Sequence, residues 1–104
     1  MKERKPSYAK SMHLLNEKIY MAHGSAGVVV FDLNTRQIEK VIKTNFSRGY
    51  NDAVSITGDS PRRLFVAVSG FQKGFNGILT IDGLSSRVLN KMAYNTKKLS
   101  LIHI

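Results

Sequence analysis

Cysteine is absent from this chain. That excludes disulfides, thiolate zinc sites and cysteine nucleophiles together, and it fits any compartment. No apolar run approaches the roughly 20 residues that a membrane-spanning helix needs. The N-terminus, MKERKPSYAKSM, is basic but lacks the apolar core of a secretory signal. Long polar tracts are missing too. With 42% hydrophobic residues over 104 positions, the composition is that of one small globular domain.

Acidic residues are scarce: 7 Asp and Glu stand against 16 Lys and Arg, a formal net charge of +9. Such a balance invites comparison with nucleic-acid binders. More than half of the excess sits at the ends, in Lys2, Arg4, Lys5 and Lys10 and in Lys97 and Lys98. Between them Arg36, Lys40, Lys43, Arg48, Arg62, Arg63 and Lys73 are scattered over turns and outward strand positions. The charge therefore reads as solubility and end effects, not as a phosphate-binding face. Nucleic acid is not expected as a partner.

The residue constellations of catalysis are missing as well. His13, His23 and His103 lack the spaced acidic or second imidazole neighbours of a metal site. Ser55, Ser60 and Ser69 have no nearby base and no nucleophile-elbow sequence. Gly70, Gly74 and Gly77 are not followed by a helix, so they do not form a dinucleotide-binding loop. No catalytic residue, metal or cofactor is expected.

What is present is a series of short apolar runs punctuated by turn residues. Tyr8, Met12, Leu15 and Ile19 fall at helical spacing with Ser7 as an N-cap, yet Asn16-Glu17 supplies turn chemistry between two strand-like groups. The repeat described below favours strands there. Val28-Val29-Val30-Phe31 reads as a strand covered on both faces, followed by a tight turn at residues 32–36 and an outward strand at 37–43. Residues 45–51 read as a polar loop, then Ala53, Val54 and Ile56 as a short strand and residues 57–61 as a turn fixed by Pro61. Residues 64–68 form the next strand. Residues 69–77 are expected to be a glycine-rich loop, with further strands at 78–82 and 87–92. Within that loop Phe71, Lys73 and Phe75 are the candidate ligand-facing residues: the two aromatics either pack inward or line a ligand mouth.

The stretch from Lys18 to Ile42 repeats the design of the stretch from Tyr50 onward. FDLNTRQIEKVI, from Phe31, matches IDGLSSRVLNKM, from Ile81, so that Asp32 corresponds to Asp82, Thr35 to Ser85, Ile38 to Val88 and Ile42 to Met92. Upstream, Ile19-Tyr20-Met21-Ala22 matches Leu64-Phe65-Val66-Ala67. The equivalent positions of Asp32 and Asp82 suit turn-tying carboxylates better than a catalytic pair. A period of about 45 to 50 residues with four short strands per unit is the signature of propeller blades.

GDSPRRLFVAVSG followed by GILTID resembles the YVTN-type bacterial and archaeal propeller repeat, a relative of WD-repeat propellers. The resemblance covers about residues 12–92. Neither unit carries a full Tyr-Val-Thr-Asn: His23 and Val68 stand where the family has its final Asn, and Asp59-Ser60-Pro61 replaces the usual Asp-Gly turn. The resemblance implies an all-β fold of two consecutive four-stranded antiparallel blades of an incomplete β-propeller ring. It implies a binding scaffold that engages proteins or small molecules through its faces and loops. The alternative is part of a propeller enzyme, lactonase-like or a quinone- or haem-dependent oxidoreductase, whose catalytic residues would lie on other blades. Relatives of this kind are often exported.

Residues 1–10 are expected to be a basic flexible segment, 11–47 the first blade, 48–96 the second, and 97–104 a tail foreign to the pattern. Complete rings need four to eight blades, roughly 200 to 350 residues, so further units are expected. The closing LSLIHI (residues 99–104) can be written CTG TCT CTT ATA CAC ATC. That string resembles a transposase-end adapter from sequencing libraries, the alternative being a natural apolar edge strand. Exposed blade edges are expected to favour self-association.

Overall fold

The computed structural model describes residues 9–44, 50–71 and 76–93, and for Tyr50, Asn51 and Phe71 the backbone alone. Those residues form eight strands: β1 (Ser11–Leu15), β2 (Lys18–Ala22), β3 (Val28–Asp32), β4 (Gln37–Ile42), β5 (Tyr50–Ser60), β6 (Arg63–Phe71), β7 (Gly77–Asp82) and β8 (Arg87–Ala93). There is no helix among them. Two four-stranded antiparallel sheets result, ordered β1-β2-β3-β4 and β5-β6-β7-β8, each a simple meander with neither closed into a barrel. This is the all-β arrangement of two consecutive blades that the sequence pattern implied.

Turn chemistry explains why the chain reverses where it does. Between β1 and β2, Asn16 and Glu17 both take left-handed backbone angles, φ 51° and 64°. A two-residue hairpin needs that conformation because its twist matches the strands, and Asn tolerates it well. The helical spacing of Met12, Leu15 and Ile19 yields to this turn.

The β3–β4 and β7–β8 turns are near copies of each other. Asp32 Oδ1 accepts from Asn34 N at 2.8 Å and Thr35 N at 3.4 Å. Asp82 Oδ1 accepts from Leu84 N at 2.9 Å and Ser85 N at 3.3 Å. Arg36 N and Ser86 N each close the turn on the aspartate's own carbonyl at 2.7 Å. Both closing residues have positive φ, and both hairpins carry a bulge at the matching place, Val30/Phe31 and Thr80/Ile81. The repeat seen in the letters is thus a repeat in backbone geometry.

Two boundaries differ from the sequence reading. The turn expected at residues 57–61 is narrower: Thr57 and Gly58 remain paired with Phe65 and Leu64, and Ser60 with Arg63. Only Pro61 and Arg62 make the reversal, and the surplus residue Asp59 is absorbed in a bulge between Gly58 and Ser60. The glycine-rich loop expected at 69–77 is also shorter. Ser69, Gly70 and Phe71 continue β6 opposite Asp52, Asn51 and Tyr50, and Gly77 opens β7 opposite Val68. Backbone ladder bonds override the weak strand propensity of glycine here. Residues 1–8, most of the segment 45–51 and all of 94–104 lie outside the described residues, including the expected flexible N-terminus and the foreign tail.

Opposed residues in a ladder project to the same side, and side chains alternate along each strand. In the first sheet one face carries Leu15, Tyr20, Ala22, Val28, Val30 and Ile42. In the second, one face carries Ala53, Ile56, Leu64, Val66, Val68, Leu79 and Ile81. These two faces meet and form the core. Polar bonds pin the contact at its rim: His13 Nε2 donates to Gly58 O at 2.6 Å, Ile56 N to Ser11 Oγ at 3.2 Å, and Lys40 Nζ to Leu84 O at 3.1 Å. Gly24 and Ala53 exchange two backbone bonds, 3.0 and 2.9 Å, as a bridge between the sheets. Gly83 lets the β7–β8 turn lie close to Tyr20, since a Cβ there would stand 2.7 Å from Pro61 O and 3.2 Å from the Tyr20 ring.

Candidate functional site

The chemistry-bearing side chains are taken up in structure. Asp32 and Asp82 each serve their own turn, on separate hairpins, as the repeat suggested. The two backbone donors hold the Asp82 carboxyl below the ordinary carboxylate value. Asp59 is likewise lowered, by its 2.8 Å bond to Arg63, whose guanidinium also stands 6.0 Å over the Phe65 ring. Lys18 pairs with Glu39 at 2.6 Å and is raised by that bond. Burial pushes the Tyr20 phenol up, so it stays neutral. Among the described residues no group of three or more His, Asp or Glu could hold a metal ion.

Of the candidate loop residues, Phe71 ends β6 opposite Tyr50, with its side chain outside the described residues. Lys73 and Phe75 lie outside them altogether. The end of this loop is anchored where it can be followed: Asn76 Oδ1 accepts from Gly70 N at 2.7 Å. A shallow open groove follows the outer strand β8 along Val88, Leu89, Asn90 and Lys91. It is too exposed to bury a small ligand. No described helix is long and apolar enough to cross a membrane.

What the structure adds is a surface. The first sheet's second face presents Met12, Leu14, Ile19, Met21, Val29, Phe31, Ile38 and Val41, apolar at each of these positions. Its outer-strand residues are open, Met12 64% exposed, Leu14 61%, Ile38 61% and Val41 47%, while at its centre Ile19, Met21 and Phe31 are half-buried and Val29 is buried. The second sheet's outer face presents Phe65, Ala67, Ile78 and Met92 with Ser55, Thr57, Thr80 and Asn90, and here Phe65, Ile78 and Met92 are exposed. Contiguous apolar surface on a sheet, unlike single scattered leucines, marks an interaction site. Exposed apolar blade faces are expected from the repeat, but the residues on them are not legible in the sequence, because strands β2 and β3 are apolar on both faces. Only the strand register shows which set is covered and which is bare. No protein-family model matches the chain, and no curated protein matches it.

Proposed function

We propose that the chain is a β-propeller-type binding scaffold, similar to the YVTN-type repeat, that engages a protein partner through its sheet faces. The observation that carries this reading is the apolar second face of the first sheet, on whose outer strands Met12, Leu14, Ile38 and Val41 lie open to solvent. Water-exposed methionine and branched aliphatic side chains on a flat sheet suit a broad, mostly apolar protein contact better than a small polar substrate. The second support is the duplicated hairpin, with its Asp32 and Asp82 turns, which suits a stacked-blade scaffold. Fold alone does not name the partner.

The test compares three immobilised chains: wild type, Met12→Glu/Leu14→Glu, and the turn control Leu84→Glu. Proteins retained by wild type and by the control, but lost from the double variant, support the scaffold. Equal retention by all three, with circular dichroism showing each is folded, refutes it.

A further inference from the structure

The two bare faces are not unrelated patches. Register and repeat together make each of them the counterpart of a face that is already buried. On β2 and β3 the covered residues Tyr20, Ala22, Val28 and Val30 correspond to Phe65, Ala67, Ile78 and Thr80, which lie on the bare face of the second sheet. The outer-strand residue Ile42 corresponds to Met92 in the same way, opposite Val28 and Ile78. Conversely the covered residues Leu64, Val66, Leu79 and Ile81 correspond to Ile19, Met21, Val29 and Phe31 on the bare face of the first sheet. The contact inside the chain is therefore heterologous, one kind of face on the other, and among the described residues one face of each kind packs against no other sheet.

We infer that these faces take a second copy of this chain, head to tail, with the second sheet of one copy stacked on the first sheet of the next. The inference rests on the scaffold reading and names its partner. The chemistry of the new contact repeats that of the old one. Phe65 replaces Tyr20 as the large aromatic, and Arg63 replaces Lys18 beside it. Met92 replaces Ile42, and the one polar departure in the centre is Thr80 for Val30. Two of the rim positions have counterparts by register: Thr57 of one copy takes the place of His13, against Leu14 of the next, and Ser55 takes the place of Ser11, against Met12. A heterologous contact of this kind closes into a ring or runs on as a filament.

The experiment uses the 104-residue chain, read by sedimentation velocity. Met12→Glu puts a charge on the first bare face, and Ile78→Glu puts one on the second. Both positions are exposed, so neither change should unfold the chain. Wild type is expected to associate and each variant to lose association by itself. An equimolar mixture should regain a dimer, because one variant offers an intact second face and the other an intact first face. The natural absence of cysteine allows a register check: Ser55→Cys mixed with Met12→Cys should give at least about tenfold more oxidised dimer than either variant alone, since disulfides need closely matched Cα positions. A monomeric wild type overturns the inference. So does association lost in only one of the two glutamate variants, or a mixture that fails to recover, both of which mark a like-on-like dimer or no dimer. In each of those cases retention of a different protein can still support the scaffold, so the two readings fail separately.

Discussion

Leu79→Ala tests the sheet-on-sheet core at its centre. Leu79 is 0% exposed, lies opposite Val66 on β6, and faces the first sheet. Truncation to alanine removes three carbons, which at about 0.8 kcal/mol per buried methylene is a loss near 2.4 kcal/mol. A cavity term raises this toward about 5 kcal/mol if the sheets cannot close over the void. Two stacked sheets joined by the Gly24–Ala53 bridge and the His13 bond have little freedom to collapse, so the upper half of that range is expected. The control is Leu84→Ala, in the β7–β8 turn, where the side chain is 52% exposed and the structural bond is made by the backbone N–H. It should change stability by no more than about 0.5 kcal/mol. Urea unfolding followed by far-ultraviolet circular dichroism, at one fixed low protein concentration, gives both values. In a domain whose whole stability is about 5–15 kcal/mol, the Leu79 variant will be close to unfolding in water. Equal midpoints for the two variants would refute the claim that the sheets pack face to face.

Two further outcomes follow from local geometry. Gly27→Ala should destabilise the chain by more than about 1–2 kcal/mol, because φ is +100° there and a Cβ would run into the Ile42 carbonyl; the urea midpoint reads it. Asp82 has its folded pKa below the ordinary 3.8, so the unfolded chain binds the proton first as pH falls. Its contribution is full above about 3.8 and is lost as pH drops through the lower folded value. Asp82→Asn keeps the acceptor oxygen without the charge, so its unfolding midpoint should fall less steeply than wild type over that acid range; parallel curves would refute the assignment.

Turn residues and repeat spacing made the architecture legible before any coordinates. Asn16-Glu17, Pro61 and the paired Asp32 and Asp82 each constrain the chain within a few residues, through backbone angles or short side-chain bonds. Strand ends were less legible. Gly58, Ser69 and Gly70 have weak strand propensity and were read as turn or loop, yet ladder bonds to β6 and β5 hold them extended. The candidate surface was the least legible part. Met12, Leu14, Met21 and Val41 read only as strand residues until the register set them on one bare face.

The sequence alone determined the strands, the hairpin turns and the duplication, because those depend on interactions between near neighbours and on a period visible in the letters. The tertiary structure alone decided which face of each sheet is covered. Val28, Val29 and Val30 are equally apolar, and nothing local distinguishes the valines that meet the second sheet from the one that turns away. Stacking the sheets with unlike faces together makes that choice, and among the described residues it leaves one face of each kind without a facing sheet.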